Sequence, residues 1–178
     1  MKIYLNIFLI KKIKKKDLKS IFPIRNQSKI RKSMINRKTI NFKDHLWWYE
    51  NKIKKKELFY CFNFNKKIIG AAYTVNYNPK KKFCSWGIYI SQEINSQFKL
   101  GSILKYLFYK KIFSLKNIKY LETQVVKGNE QVKAWYERWG AKYISYDKKN
   151  NCYNLILTKN KWEDNLLLIK KRIRSLKL

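Results

Sequence analysis

The stretch NSQFKLGSIL, at positions 95–104, stands where a phosphate-binding loop could stand. It follows a strand-like segment and precedes an apolar, lysine-bearing run that is typical of a helix. Free amides and the dipole at a helix N-terminus favour anions, so such a junction can hold phosphates. Loops of this kind usually carry two or three glycines, whereas this one carries only Gly101. Both a cofactor loop that has lost a glycine and an ordinary connection fit these residues.

Cysteine and histidine content argues against several other kinds of site. The three cysteines, Cys61, Cys84 and Cys152, lie far apart in the sequence, and His45 is the sole histidine. Without a CxxC pair we expect neither a zinc cluster nor a disulfide framework, and therefore no metal. We expect the protein in a reducing cytoplasm. The apolar run at 3–10 is too short to span a bilayer and predicts a first strand.

The net charge of +31 is extreme and first suggests a nucleic-acid partner. However, 36 of the 42 basic residues are lysines, and the chain also has 17 asparagines and 22 isoleucines, which is a pattern of AT-rich codons. Nucleic-acid-binding proteins usually also use arginine, because its planar group grips phosphate and guanine bidentately. We therefore interpret the charge as mostly a solvated surface that also suits an anionic substrate, and we expect no nucleic-acid partner.

The length of 178 residues, with 46% apolar and 16% aromatic content, predicts one packed domain. Strands are expected at the N-terminus and over 57–65, 66–77, 80–91, 119–126, 141–146 and 151–158. The order β-α-α-β-β-β-α-β-α-β-β indicates a mixed α/β domain with a mostly antiparallel sheet. We expect the domain to cover 1–160 and a basic helix or extension to cover 161–178.

Four helices are expected between these strands. The first runs from 15 to about 35 with a break at Pro23, and the second runs from Asn41 or Asp44, either of which could cap it, to about 54. The third runs from 100 to about 113, and the fourth from 130 to about 139, ending before Gly140. The third helix would bury one face, made of Leu104, Leu107, Phe108 and Ile112.

The segment NEQVKAWYERWGAKY, at 129–143, resembles a segment of the GCN5-related N-acetyltransferases. That family has an Asn at the end of a strand, a short helix with a small residue and a Tyr, and then a Gly before the next strand. The matching residues here are Asn129, Ala134, Tyr136, Gly140 and Ala141. The resemblance implies that the strands containing WGIYIS and LETQVV splay apart, and it places NSQFKLGSIL on the acyl-CoA pyrophosphate loop, whose pattern is Q/R-x-x-G-x-G/A. Lys99 then stands at the first glycine position.

The segment at 24–50 resembles one branch of that family, the PseH-type enzymes that acetylate a UDP-linked 4-amino sugar in pseudaminic acid biosynthesis. That branch has W-R-N, I/V-R-x-x-M and I-x-x-x-x-H-x-x-W in succession. Ile24 replaces the first tryptophan, and the other matches are Arg25, Asn26, Ile30, Arg31, Met34, Ile40, His45 and Trp48. The two resemblances together cover roughly residues 1 to 160.

The resemblance implies acetyl-CoA as co-substrate and an anionic amino-sugar nucleotide as acceptor. Residues expected to bind acetyl-CoA are the strand edge Ile88, Tyr89 and Ile90, the loop residues Gln97, Phe98, Lys99, Leu100, Gly101 and Ser102, and Asn129. Tyr136 would protonate the departing thiolate. Either Glu122 or Glu130 could act as the base, directly or through water. Arg25, Arg31 and His45 would face the nucleotide sugar, since guanidinium and imidazole groups suit phosphate.

Other functions fit the same residues. A member of the family could instead acetylate a protein N-terminus or a small amine, and a basic nucleic-acid-binding domain is the alternative of another class. His45 and Tyr136 could also be packing residues. A homodimer is left open.

Overall fold

The structure is a computed structural model that describes residues 8–53, 57–93, 100–115 and 118–174. Within these ranges one sheet contains seven strands: β1 (Phe8–Lys12), β2 (Phe59–Phe64), β3 (Lys67–Asn78), β4 (Phe83–Ile90), β5 (Tyr120–Val126), β6 (Lys142–Asp147) and β7 (Cys152–Thr158). They lie in the order β1-β2-β3-β4-β5-β7-β6. Only β4 and β5 pair in parallel, and the other neighbours are antiparallel. The predicted mixed, mostly antiparallel sheet is confirmed.

The described helices follow the predicted order, and two of them lie at the C-terminus, where a basic helix or extension was expected from residue 161. They are α1 (Leu18–Arg25), α2 (Ser28–Lys32), α3 (Phe42–Trp48), α4 (Gly101–Phe113), α5 (Glu130–Arg138), α6 (Lys159–Asp164) and α7 (Leu166–Arg174). A 3-10 turn at Lys15–Asp17 precedes α1, and a π-helical turn at Tyr49–Ile53 follows α3. No helix in the described ranges is long and apolar enough to cross a bilayer.

The helices cover the two faces of the sheet unequally. On one face, Leu18 and Ile21 of α1 and Tyr49 of the π-helical turn are buried with Phe59 and Cys61 of β2. On the other face, α4 to α7 form the larger core, which includes Phe8, Trp86, Leu104, Phe108, Ile112, Tyr136, Trp139, Leu155 and Trp162. The space between β4 and β5 is therefore open to both of these separately packed layers.

Helix α4 is buried on more than the single face that its apolar spacing predicts. Trp162 lies beyond the predicted domain limit at residue 160. Its ring packs against the rings of Tyr106, Tyr109 and Phe113. Ile169 of α7 joins the same core. The C-terminal helices thus cover a second side of α4, and they bury most of its length.

The predicted break at Pro23 is wrong. Pro23 lies inside α1, and the chain leaves the helix only at Asn26 and Gln27, where Gln27 adopts an extended conformation. Pro23 lies in the second turn of α1 and costs the helix one backbone hydrogen bond, while Leu18, Ile21 and Ile24 of the same helix are buried in the core on this face of the sheet. At the start of α3 the cap is Asn41, whose side chain accepts the backbone N–H of Asp44.

Candidate active site between β4 and β5

A cleft of about 1060 Å³ opens where β4 and β5 separate. The two strands pair over three positions only, ending with Ser85 opposite Glu122. Beyond that pair β4 continues to Ile90 and β5 to Val126 without pairing to each other. The splay predicted for these strands is confirmed. Residues from both layers line the gap, among them Arg25 of α1, Ile88 of β4, Gly101 of α4 and Tyr136 of α5.

One wall of the cleft contains several residues predicted to bind acyl-CoA. Ile88, Tyr89, Ile90, Gly101 and Asn129 all line it. On its β3 side, this part of β4 is paired, for example Ile88 with Ala72, so the edge turned toward β5 is where another extended chain could add. The wall thus offers a strand edge beside a helix start.

The starts of α4 and α5 leave polar groups at this wall. Neither Leu100, at the cap position of α4, nor Asn129, at the cap position of α5, provides a side-chain cap hydrogen bond. The amide of Asn129, which lines the cleft, is therefore not committed to the helix end. A ligand with phosphate and amide groups suits such a wall, because the dipole at the start of α4 favours an anion.

The other predicted loop residues lie away from this wall or outside the described part of the chain. Leu100 is fully buried in the core. The Ser102 hydroxyl accepts a hydrogen bond from Trp135 Nε1 at 3.1 Å, which ties α4 to α5. Gln97, Phe98 and Lys99 lie outside the described residues, so the effect of a lysine at the first glycine position stays a prediction.

Tyr136 lies at the base of the cleft and is 5% exposed. Its ring packs edge-on against Trp86 and Trp135, and its hydroxyl interacts with the Thr123 side chain. Burial raises the pKa of the phenol, and the hydrogen bond with Thr123 opposes that rise. The group is therefore protonated at neutral pH and can act as a hydrogen-bond or proton donor inside the cleft.

A Schellman motif fixes the end of the helix that bears Tyr136. Gly140 has a φ of +96°. The N–H of Ala141 donates to the Tyr136 carbonyl at 3.1 Å, and the N–H of Gly140 donates to the Glu137 carbonyl at 2.9 Å. A glycine is favoured at this left-handed position. The helix end predicted before Gly140 is confirmed, and it sets the position of Tyr136 one turn earlier.

The opposite wall is basic. Arg25, Lys29 and Lys32 line it, and Lys105 lines the α4 side. Glu93 is the one carboxylate among the described residues of the lining. Arg25 Nη2 donates to the Asn36 carbonyl at 3.0 Å, whereas Nη1 is buried without a hydrogen-bond partner. A buried guanidinium nitrogen with no acceptor is costly, and an anion in the cleft would supply one.

Arg31 does not line the cleft but holds the loop that does. Its Nε donates to the Asn26 carbonyl at 3.1 Å and its Nη1 to the Arg37 carbonyl at 3.0 Å. The Asn26 amide closes the same loop by pairing with both backbone groups of Ile40, at 2.8 and 3.1 Å. Residues 33–36 of this loop lie along the cleft. The R-N and I-R motifs therefore build a wall, with Arg25 pointing to the cleft and Arg31 supporting the loop.

His45 is buried behind that wall and does not line the cleft. It stacks on Trp48, with ring centroids 5.8 Å apart, and lies 6.0 Å from the ring of Phe22. Burial, with a smaller contribution from the charge of Arg25, lowers the His45 pKa to about 4. Its Nδ1 has no hydrogen-bond partner. The neutral imidazole packs as an aromatic ring, which is the packing alternative considered from the sequence.

The two carboxylates considered as bases also lie outside the cleft lining. Glu122 stands at the last paired position of β5, opposite Ser85, which does line the cleft. Glu130 accepts a hydrogen bond from the Tyr153 hydroxyl at 2.9 Å on an exposed surface. Of the two, Glu122 is closer to the point where the strands separate. Among the described residues of the lining, the carboxylate is Glu93, which no motif singled out.

Lys105 is the most unusual cleft residue that sequence reasoning missed. It lies four residues after Gly101 and is only 9% exposed. Its Nζ lies 3.7 Å from the ring centroid of Trp135 and 4.4 Å from that of Tyr136. A signal was present, because Lys105 follows Leu104 and precedes Phe108 on the helix side predicted to be buried. Burial lowers its pKa to about 7.

Comparison with known proteins agrees with this geometry. A family model described as an acetyltransferase (GNAT) domain matches residues 10–167. No curated protein sequence matches the chain. Among solved structures, spermidine N-acetyltransferase from Vibrio cholerae in complex with CoA and spermine superposes with a TM-score of 0.78 at 15% identity, over 89% of this chain and 99% of that one.

Two further structures have comparable folds and different acceptors. FdhC, described as a nucleotide-linked sugar GNAT, superposes with a TM-score of 0.75 at 20% identity, over 97% of this chain and 96% of that one. Aminoglycoside acetyltransferase AAC(6')-Ib in complex with coenzyme A gives 0.75 at 14% identity, over 89% and 99%. These likenesses describe the fold, and the family match covers most of the chain. The chain therefore belongs to the GNAT family of acetyl-CoA-dependent N-acetyltransferases.

Proposed function

We propose that this N-acetyltransferase acts on an anionic acceptor. The acceptor is a UDP-linked 4-amino sugar of the kind acetylated in pseudaminic acid biosynthesis, and the acetyl group goes to its amino group. The observation that carries the proposal is the charge of the cleft. Arg25, Lys29 and Lys32 stand on the acceptor side, and the described lining contains one carboxylate, Glu93. A diphosphate is attracted to such a wall, whereas a polyamine is repelled by it.

The orphaned Nη1 of Arg25 supports the same class of acceptor. A guanidinium binds phosphate oxygens bidentately, and one of the two terminal nitrogens of Arg25 has no hydrogen-bond partner. Tyr73 and Tyr89, which line the cleft near Arg25, add aromatic surface against which a nucleotide base could pack. The 20% identity with a nucleotide-linked sugar GNAT over nearly the whole chain is consistent with this proposal.

Donor binding is assigned to the α4 and α5 wall. When bound, acetyl-CoA supplies a thioester whose acetyl group can move to an amine. The backbone amides at the start of α4, including Gly101 and the residues of the preceding loop, would hold its phosphates. The edge of β4 at Ile88 to Ile90 would align its pantetheine arm, and the Asn129 amide would contact that arm. A backbone N–H of β4 would polarise the thioester carbonyl.

In the proposed transfer, the acceptor nitrogen forms a bond to the acetyl carbon while the bond from that carbon to sulfur breaks. The electron pair of the broken bond stays on sulfur, and Tyr136 gives its phenolic proton to that sulfur. The proton that the acceptor nitrogen loses passes to water, with Glu122 as the assigned base through that water. The Tyr136 oxygen then regains a proton from solvent, so that the acceptor proton is in effect transferred to sulfur.

A thiol-release assay with a panel of acceptors tests the proposal. Acetyl-CoA is supplied with UDP-linked 4-amino sugars, with the corresponding amino sugars lacking UDP, with spermidine, with an aminoglycoside and with N-terminal peptides. The expected result is turnover of the UDP-linked sugar, with kcat/KM falling about tenfold or more when the UDP is removed. Preference for spermidine or for a peptide would overturn the acceptor assignment.

A thermal-shift experiment checks the donor separately. Saturating acetyl-CoA should raise the melting temperature, because a ligand that binds only the native state stabilises it. An unchanged melting temperature, together with tight and salt-sensitive RNA binding, would instead favour the nucleic-acid alternative.

A further inference from the structure

Lys105 places a buried ammonium at the cleft without a carboxylate partner. Among the described residues, none forms an ion pair or side-chain hydrogen bond with it, and its Nζ instead faces the rings of Trp135 and Tyr136. Buried charges are normally paired, because removing an ion from water is costly. Ring faces compensate only a small part of that cost. The arrangement therefore favours an anion that enters the cleft and pairs with the ammonium form of Lys105.

The position of Lys105 indicates which anion would lie beside it. It lies one helical turn, about 6 Å, beyond Gly101, so it is deeper in the cleft than the helix start assigned to phosphates. It is also adjacent to the proposed proton donor, since its Nζ is 4.4 Å from the Tyr136 ring. The negative charge that develops next to Tyr136 in the proposed reaction is that of the departing sulfur.

We propose that Lys105 supplies the positive charge that stabilises the CoA thiolate beside Tyr136. This inference rests on the proposed function of Tyr136 and deepens it. Lys105 forms no covalent bond in this role, and its ammonium acts through space on the sulfur and on the Tyr136 oxygen. The negative charge lies on the sulfur when the thiolate departs and on the Tyr136 oxygen once the proton has moved to sulfur, and a nearby cation lowers the energy of both states.

The ionisation of Lys105 suits this role. With a pKa of about 7 in the empty cleft, the amine is partly neutral, which reduces the cost of its burial. An approaching anion raises that pKa again, so the residue is charged when the thiolate forms. The ionisable side chain that its Nζ faces is the phenol of Tyr136, whose own pKa burial raises, so that phenol remains neutral over the same pH range.

The test is the acidity of the thiol of bound CoA, followed by the ultraviolet absorbance of the thiolate as pH is raised. Desulfo-CoA, which has no thiol, provides the blank and an independent measure of binding. In the wild-type protein the thiol pKa of bound CoA should lie below that of free CoA. In Lys105→Met it should rise by about one unit or more, equivalent to a tenfold loss of thiolate stabilisation, while desulfo-CoA affinity is unchanged.

Two further variants complete the design. Lys110→Met removes an exposed lysine from the same helix and should leave the thiol pKa at its wild-type value. Lys105→Arg keeps the charge and should keep part of the shift. Circular dichroism establishes that each variant is folded, and a wild-type thiol pKa equal to that of free CoA refutes the role even if Lys105→Met does not fold.

The outcomes separate this inference from the function on which it rests. If neither CoA nor desulfo-CoA binds the wild-type protein, the donor assignment fails. If both bind and the thiol pKa is that of free CoA, the role of Lys105 is refuted. Equal weakening of CoA and desulfo-CoA in Lys105→Met would also refute it, because Lys105 would then bind the phosphate or pantetheine part of the ligand.

Discussion

The guanidinium of Arg25 lies close enough to His45 to lower the imidazole pKa, yet only Arg25 lines the cleft. Arg25 ends α1, whereas His45 lies within α3, which packs behind it. The same short segment of sequence therefore contributes one residue to the wall of the cleft and one to the packing behind it. Substitutions at the two positions should have different consequences.

Arg25→Met should raise KM for a UDP-linked amino sugar about tenfold to a hundredfold, because a charge-assisted contact to phosphate contributes about 1.5–3 kcal/mol. The KM for acetyl-CoA should not change, since the donor is assigned to the other wall. Steady-state kinetics with each substrate varied in turn provides the measurement. Arg138→Met, which removes an exposed arginine from α5, is the matched control. A similar KM increase in both variants would indicate a general charge effect.

His45 should make the protein less stable in mild acid. Its folded pKa of about 4 lies below the model-peptide value of 6.5, so the unfolded chain binds the proton more readily between those values. The stabilisation is complete above pH 6.5 and is lost progressively as pH falls toward 4, by about 3 kcal/mol at most. Urea unfolding at several pH values measures this, and His45→Phe should show a smaller loss than wild type. Parallel pH dependence in both proteins would contradict the assignment.

Tyr136→Phe should lower kcat about a hundredfold or more while acetyl-CoA affinity changes little, because the variant keeps the ring and loses only the proton donor. Single-turnover kinetics and calorimetric binding separate the two quantities. Tyr143→Phe, which alters an exposed tyrosine on β6, should retain full activity. Wild-type turnover in Tyr136→Phe would show that another group protonates the sulfur.

The pH dependence of kcat/KM for acetyl-CoA should report Lys105. The ratio, measured at saturating acceptor, should fall about tenfold per pH unit above pH 7, as the free enzyme loses the ammonium. Lys105→Arg should move this descending limb to higher pH, because a guanidinium does not titrate in this range. Lys105→Met should remove the limb and lower the plateau. A descending limb that persists in Lys105→Met would belong to another group.

We expect α6, which contains Trp162, to be part of the folded domain. Its ring is 3% exposed and packs against Tyr106, Tyr109, Phe113 and Trp139. Trp162→Ala should therefore cost about 3–5 kcal/mol of unfolding free energy. Trp47→Ala, at a position that is 59% exposed, should cost less than about 1 kcal/mol. Chemical denaturation compares them, and equal small losses would support a domain that ends near residue 160.

The sequence predicted the sheet well because its strands alternate clearly and have distinct turns between them. Gly140 also marked the end of α5, since a left-handed backbone position favours glycine. The prediction was wrong at Pro23, where propensity suggested a break and the helix continues to Arg25. Packing of α1 against the sheet decides that boundary, and local propensity does not contain this information.

The site was harder to predict than the fold. Gly101 was singled out from the segment at 95–104, and Asn129 and Tyr136 from the segment at 129–143, and all three line the cleft. Lys105 and Glu93 could not be found in this way, because they become cleft residues only where α4 and the end of β4 meet across the sheet. For Lys105 the missing information was the tertiary position of α5, which places the rings of Trp135 and Tyr136 against the ammonium.

The separation of β4 from β5 opens a passage lined from both layers of the protein. Two substrates can therefore lie end to end within one cleft, each held by a different layer. Such an arrangement allows the acetyl group to pass directly between them in one ternary complex, with no acetylated protein between two half-reactions. The three cysteines agree with direct transfer. All are buried and burial raises the pKa of each thiol, so none is poised to carry an acyl group.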